Sequence, residues 1–431
     1  MAWPCNVGYF WRTLVPARKQ HITKEVGDYH VQQSRSEDLS VCNRRQALAG
    51  WALAFPFVGS GLANQPISPI RFQYQPRVLP TGGSLTVRDS IPVLQVSGSA
   101  TEIGSATGQL ALKQATGILR YPKSLISLFK LDPLWPVLVG LGTRMADRFP
   151  DRFKQEIDAL EKASGVDRGS LIAGNTMFDL KNMVLCSGVA LSANQSGTGG
   201  TLLGRNLDYP PVGDIGQYTL VSVVRQENRY SYAAIGFPGV IGVFSGMNEH
   251  GLALAIHEVV DIRAPLRKFN PMGLPYALCY RQVLEQCRTI AEAQTFLNSI
   301  PRASATNLLM ADKNNVAVLE VNPDQVRLIP GQMGVATCTN HYRHPDHIPD
   351  DPANPFQSKE RLTCLTSRCQ KSGLVGLAGI KESLHETNLG SNTLQSMIFD
   401  TKSLQLHLAY GPPPSSSGPY TILNLAPLMA K

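Results

Sequence analysis

The first part of the chain combines one strand-like run with a long region of helical spacing. Residues 91–96 favour a strand, and the polar turn after them opens a helix capped by Ser99 or Thr101. Apolar residues recur at helical spacing through residues 134–174, where Gly165 is a suitable C-terminal cap. This part of the chain is therefore predicted to be mostly helical.

A β-hairpin is predicted where this helical region ends. Two strand-like runs, at residues 186–191 and 201–208, flank a segment rich in turn-forming Gly, Ser and Thr. Two helices within residues 274–298 and one at 356–371 interrupt the later strands. Those strands are predicted at residues 218–224, 230–235, 240–246, 252–257, 307–311, 316–321, 326–329, 335–339, 394–400 and 404–410, before coil at 411–417. This order predicts an α+β protein with two sheets and helices outside them.

Length and composition are those of a globular protein. The chain has 431 residues, enough for a sizeable core, with 43% hydrophobic and 17% charged residues. Part of the net charge of +8 lies near the N-terminus, and no basic run is interleaved with aromatic residues. Nucleic-acid binding therefore has no specific support.

Residues 1–63 have the features of an export signal. Arg44-Arg45 precedes an apolar stretch at 49–62, and small residues up to Ala63 offer a cleavage site. The stretch is shorter than the ~20 residues that span a bilayer, so stable membrane insertion is not expected. The pattern resembles a twin-arginine signal and predicts a periplasmic or cell-envelope location. A chance Arg pair before a buried helix is the alternative, and the Pro-rich residues 64–90 are predicted to be a linker.

Cys186, at the start of the predicted hairpin, is the candidate nucleophile. Arg205 and Asp208 return on the neighbouring strand, so the hairpin brings a thiol and two charged side chains together locally. A guanidinium near the sulfur favours the thiolate, which is the nucleophilic form. Asp208 is expected to hold the guanidinium through a bidentate pair and is also suited to bind a free amine.

These residues resemble the motifs of a known family. Cys186-Ser187, a hairpin and Gly204-Arg205-Asn206-x-Asp208 resemble the start of the mature chain in N-terminal-nucleophile cysteine hydrolases. The resemblance is strongest to isopenicillin-N acyltransferase and its acyl-CoA:6-aminopenicillanic-acid acyltransferase relatives. Residues 98–104, Gly-Ser-x-x-Glu-Ile-Gly in pattern, extend it upstream. It covers about residues 91–411 and implies a four-layer αββα sandwich.

The resemblance also implies that the chain cuts itself between Leu185 and Cys186. Attack on the Leu185 carbonyl would give a thioester that water opens, and the freed α-amine, with a pKa of about 7.7–8, would be the base. Residues 91–185 would be a mostly helical pro-segment that stays associated with the catalytic chain, residues 186–431. Many family members have a small residue at the position of Leu185. An uncut module that binds a ligand without turnover is therefore the non-enzyme alternative.

Three more side chains receive roles from the resemblance. Asn248 lies in a Gly-Met-Asn turn and would donate to the oxyanion, although an ordinary hairpin turn fits the flanking strands equally well. Asn340, in Thr339-Asn340-His341, would be a second donor. Arg361, in a Ser-x-x-Arg motif, would help to order the site electrostatically. The ordinary alternatives for the last two are a strand-end Asn and an exposed helix Arg.

The predicted reaction is hydrolysis of a linear amide. The substrate would be a small molecule, an N-acyl amine or amino acid, cleaved through a thioester on Cys186 with no cofactor. Transfer of an acyl group from acyl-CoA to an amine is the alternative, because either water or an amine can open a thioester.

Two competing constellations involve histidine. His341, His344 and His347 are close in sequence, but the Pro-Asp pair between the last two breaks any helix that would align them. No His-Glu-x-x-His pattern occurs in the sequence, so no metal site is predicted. A papain-like pair of Cys186 and His341 would need no self-cleavage, but its local signatures are absent from the sequence.

Overall fold

The computed structural model describes residues 72–128, 130, 132–180, 185–210, 212–259, 269–349, 352–370 and 373–430. The predicted export signal and the first part of the predicted linker lie outside these residues. Within the described ranges, no helix has both the length and the apolar character needed to cross a membrane.

The α-helices occur before the first hairpin, within its connection, between the later groups of strands and near the C-terminus. The first five are Ala100–Thr107 (α1), Tyr121–Leu128 (α2), Trp135–Ala146 (α3), Asp151–Ser164 (α4) and Arg168–Leu180 (α5). The later ones are Ala193–Ser196 (α6), Tyr276–Gln286 (α7), Ile290–Ser299 (α8), Ser358–Cys369 (α9), Gly376–Glu386 (α10) and Ala426–Met429 (α11). The helices predicted within 134–174, 274–298 and 356–371 are confirmed.

The strands form two sheets. The larger sheet has ten strands in the order β1-β2-β3-β6-β7-β8-β9-β10-β11-β12, and the smaller has six in the order β13-β4-β5-β14-β15-β16. The first eight strands are Arg77–Val78, Ser84–Arg88, Ile91–Gly98, Leu185–Leu191, Leu202–Asp208, Leu220–Gln226, Tyr232–Gly236 and Ser245–Asn248. The remaining eight are Ala253–Glu258, Thr306–Ala311, Val316–Val321, Val326–Pro330, Val335–Cys338, Thr393–Asp400, Gln405–Tyr410 and Thr421–Asn424. The predicted first hairpin (β4–β5) and last hairpin (β14–β15) are both confirmed as antiparallel pairs.

Three buried apolar clusters divide these elements into four layers. The cluster between the sheets includes Val221, Leu309, Met397 and Phe399. The outer face of the larger sheet packs on helices through a cluster that includes Leu94, Ile256, Ile157 and Leu284. The outer face of the smaller sheet packs on α9 and α10 through Val189, Ile398, Leu365 and Leu384. Because side chains alternate between the two faces of a strand, each sheet is buried on both sides. The predicted αββα sandwich is confirmed.

Helix ends follow the predicted capping chemistry. The Ser99 side chain accepts from the backbone N–H of Glu102, whose carboxylate accepts from the Ser99 backbone N–H in return, which is a capping box. Thr289 caps α8 in the same way through the N–H of Glu292. Gly165 ends α4 at φ +76°, a left-handed conformation that glycine adopts without a Cβ clash.

Two sequence predictions about the ends of the fold are wrong. The predicted linker contains strands β1 and β2, and β2 pairs along its whole length with β3. Pro76 and Pro80 lie just outside β1, while Leu85 packs into the core. The chain also continues past residue 417 into β16 and α11, and α10 follows the helix predicted at 356–371. Two glycines lower the helix propensity of α10, whereas burial of Ile380 and Leu384 supports it.

The predicted pro-segment is built into the core. Its strand β3 pairs in parallel with β6, with Val93 opposite Val221, so the ten-stranded sheet includes strands from both sides of Cys186. Its helix α4 carries Glu156, which binds the guanidinium of Arg281 on α7 at 2.7 Å. The side chain of Arg281 is only 1% exposed. The segment therefore shares buried charge as well as backbone hydrogen bonds with the rest of the protein.

We expect Glu156→Ala to lower the free energy of unfolding by about 3–5 kcal/mol, measured by urea denaturation. The loss would leave the buried guanidinium groups of Arg281 and Arg152 facing one carboxylate, that of Glu285. The control is Asp158→Ala on the same helix, because Asp158 pairs with Arg168 at the exposed surface and should contribute at most about 1 kcal/mol. Equal losses in the two variants would contradict the prediction.

Asp179, near the end of α5, provides a pH-dependent test of the same packing. Its carboxylate accepts from the backbone N–H of Tyr276 and from the Ser304 hydroxyl, and burial raises its pKa to about 7. The neutral form is favoured in the fold, whereas the unfolded chain ionises near pH 4, so this contribution to stability declines between about pH 4 and pH 7. Asp179→Asn should remove that decline in the urea midpoint. If the urea midpoints of wild type and Asp179→Asn change with pH in the same way, the assignment of this pH dependence to Asp179 is refuted.

Candidate active site

Cys186 is the second residue of β4 and lies on the face of the smaller sheet that meets the larger one. It is fully buried, and its register partner on β5 is Leu207. The N–H at Nη2 of Arg205 donates to the Cys186 sulfur at 2.9 Å. The hairpin thus brings the predicted thiol and guanidinium together.

Arg205 is held by groups from both sheets. Its Nε donates to the carbonyl of Asn206 on its own strand at 3.2 Å. Nη1 donates to the hydroxyl of Ser245 on β8, and Nη2 also donates to the Ile256 carbonyl on β9 at 3.2 Å. A buried guanidinium needs such partners because its desolvation is costly. The position of this charge therefore depends on how the two sheets pack.

Gly188 allows the sheets to approach closely beside this charge. It lies opposite Arg205 in the register of β4 and β5. A Cβ at this position would be 2.7 Å from Nε2 of His257 and 2.8 Å from the side chain of Leu309, both on the larger sheet. These separations are too short for real Cβ contacts, so a larger residue would push the sheets apart.

Burial opposes the guanidinium in setting the charge of the thiol. Burial raises the pKa of Cys186 to about 11, while Arg205 acts in the opposite direction and the carboxylate of Glu258 raises the pKa further. Burial is the larger effect, so the thiol of the uncut chain is protonated at neutral pH. The sequence argument identified the favourable interaction but not the larger opposing one.

Asp208 does not form the predicted bidentate pair with Arg205. The two residues are three apart on one strand, and because side chains alternate they face opposite sides of the sheet. Oδ1 of Asp208 accepts from the hydroxyl of Thr393, and Oδ2 is buried without a hydrogen-bond partner in the part of the chain that the structure describes. Burial raises the pKa of Asp208 to about 6, while the charges of Arg361 and Arg205 lower it. Its register partner is Leu185, the residue before Cys186.

Asn340 and Arg361 hold the backbone of Cys186. The Cys186 N–H donates to Oδ1 of Asn340 at 3.1 Å, and Nη1 of Arg361 donates to the Cys186 carbonyl at 2.6 Å. Nη2 of Arg361 also donates to Oδ1 of Asn340 at 2.9 Å. Burial lowers the pKa of Arg361, and the carboxylate of Asp208 opposes this. Both residues lie at Cys186, as predicted, although Asn340 presents its oxygen to the Cys186 amide and donates its own Nδ2 to the carbonyl of Glu258 at 2.9 Å.

The oxyanion role predicted for Asn248 is not supported by its contacts. Nδ2 of Asn248 donates to the carbonyls of Leu284 and Cys287 at 2.9 and 2.8 Å, at the end of α7. Its Oδ1 accepts from the N–H groups of His250 and Leu252 within its own turn. Both amide hydrogens are therefore used in joining the turn to the helix. These contacts are those expected from the ordinary hairpin-turn interpretation of the motif.

The histidines are engaged elsewhere. Nδ1 of His341 is 2.7 Å from the Ser358 hydroxyl, and burial and nearby positive charges lower the pKa of His341 to about 4. His347 lies 3.3 Å from the carboxylate of Glu320. Among the described residues, no group of three or more His, Cys, Asp or Glu is arranged to hold a metal ion.

Three site residues were missed in the sequence. Glu258 is buried at the end of β9, where its carbonyl accepts from Asn340 and its carboxylate accepts from the hydroxyl of Tyr276. The Ser358 hydroxyl accepts from the backbone N–H of Asn340 at 2.8 Å. Ser245 binds Arg205. Ser358 is the first residue of the Ser-x-x-Arg motif and could have been included with Arg361. Glu258 could have been noticed as a charged residue at the end of an otherwise apolar strand.

We expect Asn248→Ala to destabilise the protein without slowing its chemistry. Loss of the two bonds to α7 should lower the free energy of unfolding by about 1–3 kcal/mol, while any turnover per folded molecule stays within about twofold of wild type. Urea denaturation and active-site-normalised kinetics would measure the two effects. A large loss of turnover at unchanged stability would restore the catalytic assignment.

Five of the six predicted site residues, all except Cys186, also fall within a family match. Residues 194–373 match the family model for acyl-coenzyme A:6-aminopenicillanic acid acyl-transferase. The matched range begins after Cys186 and includes Arg205, Asp208, Asn248, Asn340 and Arg361. No curated protein sequence matches the chain.

Two solved structures match this chain with low sequence identity and low TM-scores. The N-acylethanolamine-hydrolyzing acid amidase (NAAA) ortholog of Caenorhabditis elegans has 18% identity and a TM-score of 0.41, over 55% of this chain and 100% of that one. Penicillin V acylase from Agrobacterium tumefaciens has 15% identity and a TM-score of 0.36, over 53% and 84%. Because these TM-scores are low, the fold assignment rests on the packing of the two sheets and the outer helices in this structure. The family match over residues 194–373 confirms the resemblance predicted from the cysteine hairpin and its motifs.

Proposed function

We propose that this protein is a self-processing enzyme that cleaves a linear amide through a thioester on Cys186. The family match supports the broader assignment to acyl hydrolysis or acyl transfer. The observation that carries the finer proposal is the way the Cys186 peptide is held. Its N–H, its carbonyl and its sulfur each contact a different buried side chain, Asn340, Arg361 and Arg205.

Self-cleavage would begin at the Leu185 carbonyl. A bond forms between the Cys186 sulfur and the Leu185 carbonyl carbon, the bond from that carbon to the Cys186 nitrogen breaks, and the thiol proton passes to the departing nitrogen. Water then opens the thioester and leaves a carboxylate on Leu185. Arg205 favours the sulfur anion, and the contacts of Asn340 and Arg361 restrict rotation of the Cys186 peptide while the bonds exchange.

Asp208 is suited to receive the new α-amine. It lies opposite Leu185 in the strand register, and its buried Oδ2 has no partner among the described residues. An α-amine with a pKa of about 7.7–8 would be partly protonated near neutral pH. Its charged form would donate a hydrogen bond to Oδ2 of Asp208. The same amine would then take the thiol proton as the general base of the catalytic cycle.

Turnover would repeat the same chemistry on a small-molecule substrate. The thiolate attacks the carbonyl of an N-acyl amine or amino acid, the amine leaves with a proton from the α-ammonium, and water hydrolyses the thioester. With Asn248 committed to α7, Asn340 is the remaining predicted donor for the oxyanion. It would serve when its Nδ2 exchanges the Glu258 carbonyl for the substrate oxygen.

The pro-segment would remain bound after the cut. Strands β1 to β3 continue the ten-stranded sheet, and Glu156 forms a buried ion pair with Arg281 across the proposed fragment boundary. Separation would expose the edge of β6 and leave buried charges without partners. We further propose export through the twin-arginine-like signal, on the sequence pattern alone.

Intact mass analysis and N-terminal sequencing would test the proposal. We expect wild-type protein to give two fragments that elute together on gel filtration, one beginning at Cys186, and Cys186→Ala to stay uncut and inactive because it lacks the nucleophile. Cys279→Ala is the matched control, since Cys279 is also a fully buried free thiol and should still permit the cut. Cleavage of the Cys186→Ala chain would exclude the mechanism, and an uncut wild-type chain would favour a ligand-binding module.

Acyl transfer from acyl-CoA to an amine is the second candidate, because the matched family is described by that reaction. Assays with N-acyl amino acids in water, and with acyl-CoA plus an amine, would separate the two. Release of free acid with either donor identifies a hydrolase. Formation of a new amide at rates above hydrolysis identifies a transferase.

A further inference from the structure

Asn307 holds the backbone on both sides of Asn340. It lies on β10 and is 1% exposed. Its Nδ2 donates to the carbonyl of Thr339 at 3.2 Å and to the carbonyl of His341 at 2.8 Å. One amide group therefore binds the residues immediately before and after a residue that contacts Cys186.

These two bonds restrict the direction in which the Asn340 side chain points. Asn307 fixes the Thr339 carbonyl in the peptide unit before Asn340, and the Ser358 hydroxyl holds the N–H of that same unit. The bond from Asn307 to the His341 carbonyl fixes the peptide unit that follows His341, so the backbone is restrained on both sides of Asn340. The Asn340 side chain must reach the Cys186 N–H and the guanidinium of Arg361 at once. Small rotations of this backbone would move its Oδ1 away from both partners.

Packing alone does not explain an asparagine at this position. Oδ1 of Asn307 is buried without a hydrogen-bond partner in the described ranges, and an unsatisfied buried acceptor costs free energy. Leucine, of similar size, would avoid that unsatisfied acceptor, and its side chain would lie between the register partners His257 and Glu320. What asparagine supplies here is a pair of directed N–H donors.

We propose that Asn307 is a positioning residue that sets the geometry of Asn340 at Cys186. It acts through Asn340 and does not touch the reacting atoms. The inference rests on the proposed function, since it gives Asn340 a role in self-cleavage and turnover. The restraint that Asn307 places on the Cys186 N–H through Asn340 can be measured without any reaction.

Asn248 provides a matched control for this proposal. It is also a buried asparagine whose Nδ2 donates to two carbonyls, but those carbonyls belong to Leu284 and Cys287. Asn307→Leu removes two donated bonds, and Asn248→Leu removes two donated bonds together with the two that its Oδ1 accepts, so the control variant loses at least as many hydrogen bonds. Both should lower thermal stability, and only Asn307→Leu should affect Cys186.

The first measurement is the half-time of cleavage between Leu185 and Cys186 in the full chain. We expect Asn307→Leu to slow it by about tenfold or more, the effect of losing one or two directed hydrogen bonds, and Asn248→Leu to stay within about twofold of wild type. Asn307→Asp keeps the shape, replaces the donors by a carboxyl group and should also slow cleavage. Equal rates in the Asn307 and Asn248 variants would overturn the proposal.

The second measurement separates this proposal from the self-cleavage mechanism. In a Cys186→Ala background nothing is cut, yet the N–H of residue 186 can still donate to Asn340. Hydrogen exchange of that amide should become about tenfold faster with Asn307→Leu and stay unchanged with Asn248→Leu. If wild type proves uncut, the proposed function fails and this exchange alone decides the role of Asn307. Unchanged exchange in the Asn307 variant would refute it.

Discussion

The contact between Arg205 and the Cys186 sulfur depends on the packing of the two sheets. A guanidinium buried between sheets is stable only if its hydrogen-bond donors find acceptors, and Arg205 finds them on β5, β8 and β9 as well as at the sulfur. The larger sheet thus supplies part of the environment of a thiol carried by the smaller one. Gly188 allows this because any side chain there would meet His257 and Leu309. The charge, the thiol and the spacing of the sheets form one unit.

The electrostatics around Cys186 disfavour the thiolate. Burial outweighs the guanidinium and keeps the thiol protonated, with a pKa of about 11. The same burial raises the pKa of Asp208 to about 6, where it still ionises at neutral pH. A free α-amine would add a positive charge beside both groups and would favour both anions. On the proposed mechanism, cleavage itself would therefore improve the nucleophile.

The backbone of Cys186 is controlled from distant parts of the chain. Asn340 and Arg361 meet its peptide group from the end of β13 and from α9. Asn340 is itself held by Asn307 on β10 and by Ser358 at the start of α9, through its neighbours' carbonyls and its own N–H. Rigid strands and a helix terminus thus surround one peptide bond. Such an arrangement favours a single conformation at the point where the chain is proposed to cut.

Local pattern in the sequence was enough for most elements and for the thiol and its guanidinium. Strand alternation, helical spacing and capping residues are short-range properties, so the hairpins, α4 and the caps at Ser99 and Thr289 follow from neighbouring residues. The predictions for Asn248 and Asp208 depend on more than neighbouring residues in the sequence. The motif around Asn248 fits both a turn and an oxyanion site, and its bonds to α7, which favour the turn, appear only in the tertiary structure. Asp208 lies on the opposite face from Arg205, a consequence of strand register that spacing in a motif does not reveal.

Glu258 and Asn307 carry no motif because their contacts join residues far apart in sequence: Asn307 reaches His341 across 34 positions, and Asn340 reaches Glu258 across 82. The sequence by itself predicted two sheets with helices outside them and the contact between the Cys186 thiol and the Arg205 guanidinium. Tertiary structure decided which polar groups meet at Cys186 and which charge state burial imposes. Both depend on distances between elements that only the packing of the sheets and helices defines.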